Sequence, residues 1–247
     1  MRPFVARRIP EYSRKRISVL FVILLSTASH CVAQSMNSLK GLYTIPTAEI
    51  PPDGEVTVGA YFLKKEYLDP KLSDFDSDAL AYFGSIAFLP FLEASIRFTK
   101  PMEPHGGAYA IGDRMFAFKL QPLQEGMYTP ALSLGAQDFI RSRASITNLF
   151  NSAYIVATKN VQLNTDVEVK ATAGYGFKMI TARAYQFIGF FGGVSTKLFR
   201  TVEVLCEYDA LNVNGALRVD LFDHVRLLGG IVKGRYFSGG ASWYFVL

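Results

Sequence analysis

The chain has 247 residues, half of them hydrophobic and 14% aromatic, and its formal charge is +5. The excess positive charge lies at the amino terminus, because six of the 26 basic residues and one of the 21 acidic residues precede Gln34. The 214 residues that follow (247 − 33) carry 20 charges of each sign, which excludes the basic surface expected of a nucleic-acid-binding protein.

The first 33 residues have the pattern of a cleavable secretory signal. Basic residues precede a short apolar run at residues 17–25, and Ala33 offers a small side chain for cleavage before Gln34. The apolar run is too short for a membrane-spanning helix. We therefore predict export, with residues 1–33 as the signal peptide.

Cysteine usage depends on the same cleavage. Cys31 would leave with the signal, and Cys206 would remain alone, so we expect no internal disulfide. A lipoprotein with Cys31 as its modified first residue is a weaker alternative, because His30 stands where a small side chain is normal.

Residues 34–53 do not read as a strand. Pro46 and two later prolines cannot lie inside a central strand. If the strands predicted below form a barrel, we expect this segment either at its periplasmic rim or inside its lumen. In the lumen, Thr47 and Glu49 would find polar partners.

From residue 54 onward, apolar and polar side chains alternate with a period of two. Val202 and Val204 alternate with Glu203, for example, and no stretch approaches the roughly 20 apolar residues of a spanning helix. This pattern predicts an all-β fold, an antiparallel transmembrane β-barrel of about 12 strands at residues 54–247. The predicted strands lie near residues 54–63, 78–88, 92–100, 113–121, 128–138, 152–159, 165–176, 187–197, 200–208, 215–222, 225–232 and 237–247.

Connection lengths also alternate along the chain. Connections after even-numbered segments are short, as at residues 160–164, whereas those after odd-numbered segments are mostly longer, as at residues 64–77. Short inner turns and long outer loops are typical of an outer-membrane barrel with both termini in the periplasm.

The last segment has the spacing of an outer-membrane assembly signal. Ser238, Gly240, Trp243 and Phe245 match it, although two further residues follow the expected terminal aromatic. We favour the assembly signal, and one more amphipathic strand is the alternative interpretation.

The alternation places a set of charged side chains in the lumen, away from lipid, where Arg or Lys would cost about 2–4 kcal/mol near the midplane. Such a lining could carry water and sugar hydroxyls, or it could form a salt-bridge network that fills the barrel; balanced signs favour the network. The candidates are Glu93, Arg97, Lys119, Glu168, Lys170, Glu203, Glu207, Arg218 and Asp220.

Signals for catalysis are weak, and we predict no enzyme, cofactor or metal site. A carboxylate pair of Glu93 with Glu203 or Glu207 could serve glycoside chemistry, but paired lumen charges explain these residues more simply. His105 and His224 are the two histidines after the signal, and neither lies in a catalytic or metal-binding motif.

The predicted outer loops contain Tyr67, Phe75 and Tyr185. Aromatic rings can stack on sugars, although in membrane proteins they more often anchor the chain at the interface.

Three stretches of the chain carry distinctive motifs. Residues 89–99 begin with a Leu-Pro-Phe-Leu-Glu turn, and residues 113–139 are continued by residues 153–159. The remaining motif residues precede the first strand and are Gly41, Leu42, Pro46, Thr47, Ala48, Asp53 and Gly54. In these stretches the chain resembles the YjbH family of outer-membrane exopolysaccharide proteins, which typically has Trp in place of Phe91.

Two departures accompany this resemblance. Typical members are several times longer, so this chain would be a short form. Residues 140–143 read Ile-Arg-Ser-Arg where the family tends to have Gly-Thr-Gly after Asp-Phe.

The resemblance implies a role in exopolysaccharide or capsule biosynthesis or export at the cell outer membrane. The implied partners are outer-membrane lipid, polysaccharide and exopolysaccharide-secretion proteins, with no nucleic acid. The alternatives are a general pore or uptake channel, an enzyme acting on lipid or glycan, and a structural or adhesive barrel.

Overall fold

The structure is a computed structural model and describes residues 34–68, 77–103, 113–140, 148–182, 184–222 and 224–247. The predicted signal peptide, Phe75, His105 and residues 141–143 lie outside these ranges. Within them, no helix has the length and apolar character needed to cross a membrane.

Twelve antiparallel strands form a closed barrel in the described part of the chain, which confirms the predicted fold class. Each strand pairs with its neighbours in sequence, and β1 pairs with β12 from Glu55↔Val246 to Phe62↔Gly239 to close the ring. The strands are β1 (Glu55–Leu63), β2 (Ala79–Ala87), β3 (Leu92–Pro101), β4 (Asp113–Leu123), β5 (Ala131–Gln137), β6 (Ser152–Asn164), β7 (Val167–Phe177), β8 (Gly189–Leu198), β9 (Val202–Tyr208), β10 (Val213–Leu221), β11 (Val225–Val232) and β12 (Tyr236–Val246).

The predicted turn at residues 160–164 was wrong. These residues belong to β6, where Asn160 pairs with Lys170, and the chain turns at Thr165 and Asp166. A run of polar residues is typical of a turn, which is why the sequence predicted one here. In the structure Asn160 donates hydrogen bonds to Glu49 and Glu125, and these bonds hold the end of β6 in place.

One end of the barrel has tight turns and the other has longer loops. The start of β1 and the end of β12 both lie at the end that has the tight turns. The Gly54 N–H donates to the Ala87 oxygen (3.0 Å), and the Leu247 N–H donates to the Gly54 oxygen (3.0 Å). Asp53 accepts a 2.8 Å bond from the Leu89 N–H in the first tight turn. Gly54 has φ of +80°, which glycine adopts without strain. The Asp53-Gly54 pair thus joins the start of β1, the β2–β3 turn and the carboxyl terminus.

The outer wall is covered by large apolar side chains. Successive residues alternate between buried and exposed along the strands, as in β10, where Asn214, Ala216 and Arg218 are buried and Leu217 is exposed. The exposed set includes Val58, Tyr82, Ile86, Phe116, Phe118, Leu134, Ile155, Tyr175, Phe190, Val194, Val204, Leu217, Leu227, Ile231, Phe237 and Trp243.

The lumen is filled by residues 34–48, which we name the plug segment. Every residue of the plug segment is buried. Met36, Leu39, Leu42 and Ile45 pack with wall side chains such as Phe191 in one apolar cluster. Of the two positions expected for the amino-terminal segment, the structure therefore places residues 34–48 in the lumen.

Candidate functional site: the plugged lumen

All nine charged lumen candidates lie on the inward-facing register positions of their strands. Six of them are buried: Glu93, Arg97, Lys119, Glu203, Glu207 and Arg218. Lys170, Asp220 and Glu168 are partly buried, and the first two form ion pairs. The structure therefore brings most of the set into contact with the plug segment or with one another.

Glu93 and Lys119 form an ion pair on one side of the lumen. Their side chains have no exposed surface, and Lys119 Nζ lies 3.0 Å from Glu93 Oε2. Both residues also bind the plug segment, since Glu93 accepts from the Lys40 N–H at 2.8 Å and Lys119 donates to the Lys40 oxygen at 2.7 Å. The pair satisfies its own charges and both main-chain groups of Lys40.

A second pair, Glu203 and Arg218, holds the plug segment from the opposite wall. Arg218 Nη1 lies 2.5 Å from Glu203 Oε2. Arg218 Nη2 donates to the oxygens of Gly41 (2.9 Å) and Leu42 (2.5 Å). Ser195 donates to Glu203 at 2.5 Å. One guanidinium thus joins a wall carboxylate to two carbonyl groups of the plug segment.

Glu207 binds main-chain donors. Its carboxylate accepts from the N–H groups of Tyr43 (2.9 Å) and Thr44 (2.8 Å), and from the Thr44 hydroxyl at 2.5 Å. Asn214 donates to it at 3.3 Å. N–H groups that point at one carboxylate stabilise its negative charge. Glu207 therefore fixes the turn of the plug segment around residue 44.

Arg97 contacts the other end of the plug segment, beneath the longer loops. Its Nη1 donates to the Met36 oxygen (2.9 Å) and to Asn37 Oδ1 (3.0 Å), while its guanidinium lies 4.1 Å from the centre of the Phe150 ring. Tyr67 donates to the same Asn37 oxygen at 3.0 Å and accepts from Gln186 at 3.0 Å.

The predicted loop aromatics therefore differ in position. Tyr67 is partly buried against the plug segment and Phe150, with ring centres 6.2 Å apart, so it is not placed as a loop-tip stacking platform. Tyr185 binds its own loop, where its hydroxyl accepts from the Ala182 N–H at 3.0 Å and its ring lies 4.7 Å from Lys178 Nζ.

Glu49 has the polar partners expected for a segment inside the lumen. It lies 2.7 Å from Lys170 Nζ and 3.8 Å from Lys40 Nζ, and Thr47 donates to it at 3.4 Å. Burial alone would raise the pKa of Glu49, but Lys170 and Lys40 hold this pKa well below its usual range. Burial lowers the pKa of Lys40 from its ordinary value.

Five of the seven family-motif residues build the turn of the plug segment. Gly41 and Pro46 pair as an antiparallel bridge, and the Leu42 N–H donates to the Ile45 oxygen at 3.0 Å. A Cβ on Gly41 would lie 2.4 Å from the Ile45 oxygen, so only glycine fits there. Leu42, Pro46, Thr47 and Ala48 are all buried.

Three wall residues that the sequence did not single out hold the end of this motif. Thr158 accepts from the Ala48 N–H at 2.8 Å, while Ser133 and Gln121 donate to the Ala48 oxygen at 2.5 and 2.8 Å. The alternation along their strands predicts that these three side chains face the lumen. It does not distinguish them from other polar lumen residues, because short polar side chains are common at such positions.

The carboxylates considered for glycoside chemistry do not share a site. Glu93 lies on β3 and Glu203 and Glu207 lie on β9, six strands away around a twelve-strand ring, which is the opposite wall. Glu203 and Glu207 are four residues apart on one strand, roughly 13 Å between Cα atoms. The described residues contain no group of three His, Cys, Asp or Glu side chains that could hold a metal ion.

Comparison with known proteins identifies one family. The family model for YjbH, described as exopolysaccharide biosynthesis protein YbjH, matches residues 33–214, about three quarters of the chain. The match includes the plug segment and extends beyond the stretches whose motifs resemble the family. No curated protein matches the sequence significantly. With the family model covering most of the barrel and its plug, this chain belongs to the YjbH exopolysaccharide biosynthesis family.

Proposed function

We propose that this protein is an outer-membrane β-barrel that assists the biosynthesis or export of an exopolysaccharide or capsule without acting as an enzyme. Its export would use the predicted signal peptide at residues 1–33. Its partners would be outer-membrane lipid, the polysaccharide itself and other exopolysaccharide-secretion proteins.

The apolar outer wall carries the membrane part of the proposal. Trp243, Phe190 and Tyr175 are each more than half exposed, although large aromatic side chains are usually buried in water-soluble proteins. In hydrocarbon the same surface is favourable, and a closed barrel satisfies the backbone hydrogen bonds of every strand. Polar and charged side chains on the inner face avoid lipid.

The family match supports the exopolysaccharide part, and the lumen contacts support a role without catalysis. Glu93 and Glu203 are paired with cations, and Glu207 binds the backbone of the plug segment. A filled lumen also makes a permanently open uptake channel the weaker alternative.

A clean gene deletion scored for secreted polysaccharide is the decisive experiment. We expect secretion to fall and to return when the wild-type gene is supplied in trans. Fractionation should place the protein in the outer membrane, and mass spectrometry should find a mature chain that begins at Gln34. Unchanged polysaccharide in the deletion strain, together with open conductance of the purified protein in planar bilayers, would contradict the proposal.

A further inference from the structure

We propose that the plug segment is a displaceable gate and that the lumen behind it is the route of an extended, hydroxyl-rich glycan chain. This inference rests on the proposed function and assigns a role to the inside of the barrel. In the structure the gate is closed.

The barrel does not need the plug segment to close its backbone ladder. All strand pairs, including β1 with β12, form between wall strands. The bridges of the plug segment are internal, Gln34↔Lys40 and Gly41↔Pro46. The segment can therefore move as a folded unit on the tether at residues 49–53 while every strand remains paired.

Three charge clusters of the wall remain compensated when the segment leaves, whereas Arg97 and Glu207 lose their hydrogen bonds to its backbone. Glu93 is paired with Lys119, Glu203 with Arg218, and Asp220 with Lys197 and Arg226, and all of these residues are on strands. A permanent core would leave such charges orphaned on removal, which is strongly destabilising. Here the contacts that break are mainly hydrogen bonds to the plug backbone, which water or sugar hydroxyls can replace.

The segment nevertheless stays in place at rest. Met36, Leu39, Leu42 and Ile45 are almost completely buried, and their exposure to water is unfavourable. At the outer end Tyr67 connects the first long loop to Asn37. The gate therefore opens only when the glycan or a secretion partner supplies compensating contacts.

The wall of the emptied lumen suits a neutral polyhydroxylated chain. Arg97, Lys119 and Arg218 line the lumen together with Glu93, Glu203 and Glu207, so donors and acceptors occur with balanced charge. Near the outer end, Arg97 Nε and Nη2, Thr99 Oγ1 and both Asp113 carboxylate oxygens are buried without a hydrogen-bond partner among the described residues. Thr99 and Asp113 are directly paired across β3 and β4. Sugar hydroxyls can satisfy donors and acceptors alike.

A reversible cross-link between the plug segment and the wall tests the gate. The hydroxyl oxygens of Ser38 in the plug and Ser95 on β3 lie 3.0 Å apart, so Ser38→Cys with Ser95→Cys places two thiols within disulfide reach. The pair is introduced into a Cys206→Ser background. Val204→Cys with Leu217→Cys is the matched control, because Val204 and Leu217 are directly opposed on the outer face of β9 and β10 and their disulfide joins wall to wall.

We expect the plug-to-wall disulfide to reduce secreted polysaccharide at least about tenfold, and growth with dithiothreitol to restore it. The control disulfide should leave secretion near the wild-type amount. Wild-type secretion by the oxidised plug-to-wall variant would overturn the gate, and so would an equal loss in the control. The deletion strain separates the two proposals. If deletion leaves secretion unchanged, both the proposed function and the gate are overturned; if deletion lowers secretion but the oxidised plug-to-wall variant secretes normally, only the gate is overturned.

Discussion

Arg218 on β10 donates a 2.9 Å hydrogen bond to the main-chain oxygen of Gly41, a residue 177 positions earlier in the chain. The same guanidinium is 2.5 Å from Glu203. A buried cation therefore connects the barrel wall to the plug segment, and its charge is compensated by the wall rather than by the plug. The Glu203–Arg218 pair is therefore compensated whether or not the plug segment contacts Arg218.

Replacement of Arg218 tests the compensation of Glu203. Arg218→Met leaves a buried carboxylate without its cation, and we expect the free energy of unfolding to fall by about 3–5 kcal/mol. Urea titration of the protein in lipid vesicles measures this difference. Arg235→Met, at an exposed arginine, should change the value by less than about 0.5 kcal/mol. Equal midpoints for the two variants would show that Arg218 carries no such role.

Glu207→Gln tests the anchor of the plug turn. The amide has one acceptor oxygen where the carboxylate has two, so the hydrogen bonds from Tyr43 and Thr44 weaken. We expect the free energy of unfolding to fall by about 1–3 kcal/mol. The turn should also become accessible to added protease. Glu168→Gln, at a partly buried wall position, is the control and should leave digestion of residues 34–48 unchanged. Protection of the plug segment in both variants would argue against the anchor.

Gly41→Ala tests the tight turn of the family motif. The added methyl group would lie 2.4 Å from the Ile45 oxygen and 2.9 Å from the Ser35 Cβ, and we expect destabilisation of about 1–3 kcal/mol. Thermal unfolding in detergent measures the effect. Gly84→Ala meets no atom within 4 Å and should be close to neutral. If the two alanine variants unfold at the same temperature, the turn tolerates a side chain and the steric argument fails.

The Glu49 ion pairs predict a specific pH dependence. The pKa of Glu49 is held far below its ordinary value of 4.5, so its ionised form stabilises the folded chain above that pH. This stabilisation is lost as the pH falls through the folded-state value. We expect Glu49→Gln to be less stable than the wild type at about pH 7, with the difference narrowing steadily below about pH 4.5. Unfolding titrations across this range measure it; a difference that is constant with pH would exclude a charged Glu49.

The apolar wall predicts a depth-dependent cost for charge. Val194 lies near the middle of β8 and is 53% exposed, whereas Leu163 lies near the turn end of β6 and is 64% exposed. In lipid vesicles, Val194→Arg should destabilise the barrel by about 2–4 kcal/mol and Leu163→Arg by about 0–1 kcal/mol. Urea titration compares the two variants. A similar small cost at both positions would indicate that this wall does not face hydrocarbon.

The sequence by itself determined the strands and the faces of their side chains. Alternation with a period of two follows from strand geometry, and it is explicit where exposed Val204 on the outer face is followed and preceded by lumen-facing residues such as Glu203. Twelve segments and short turns at one end were sufficient to predict a closed antiparallel barrel. The local sequence was not sufficient to predict the end of β6. Residues 160–164 are polar like a turn, yet they continue the strand because Glu49 and Glu125 bind Asn160.

Only the tertiary structure decided the position of residues 34–48. This segment has no strand or helix period, and its backbone donors are satisfied by side chains far along the chain, such as Glu207, 163 positions from Thr44. A pattern within one segment cannot encode contacts that exist only after the barrel closes. The sequence pattern therefore predicts the strands of the wall. The position of residues 34–48 depends on wall side chains that come together only when the barrel closes.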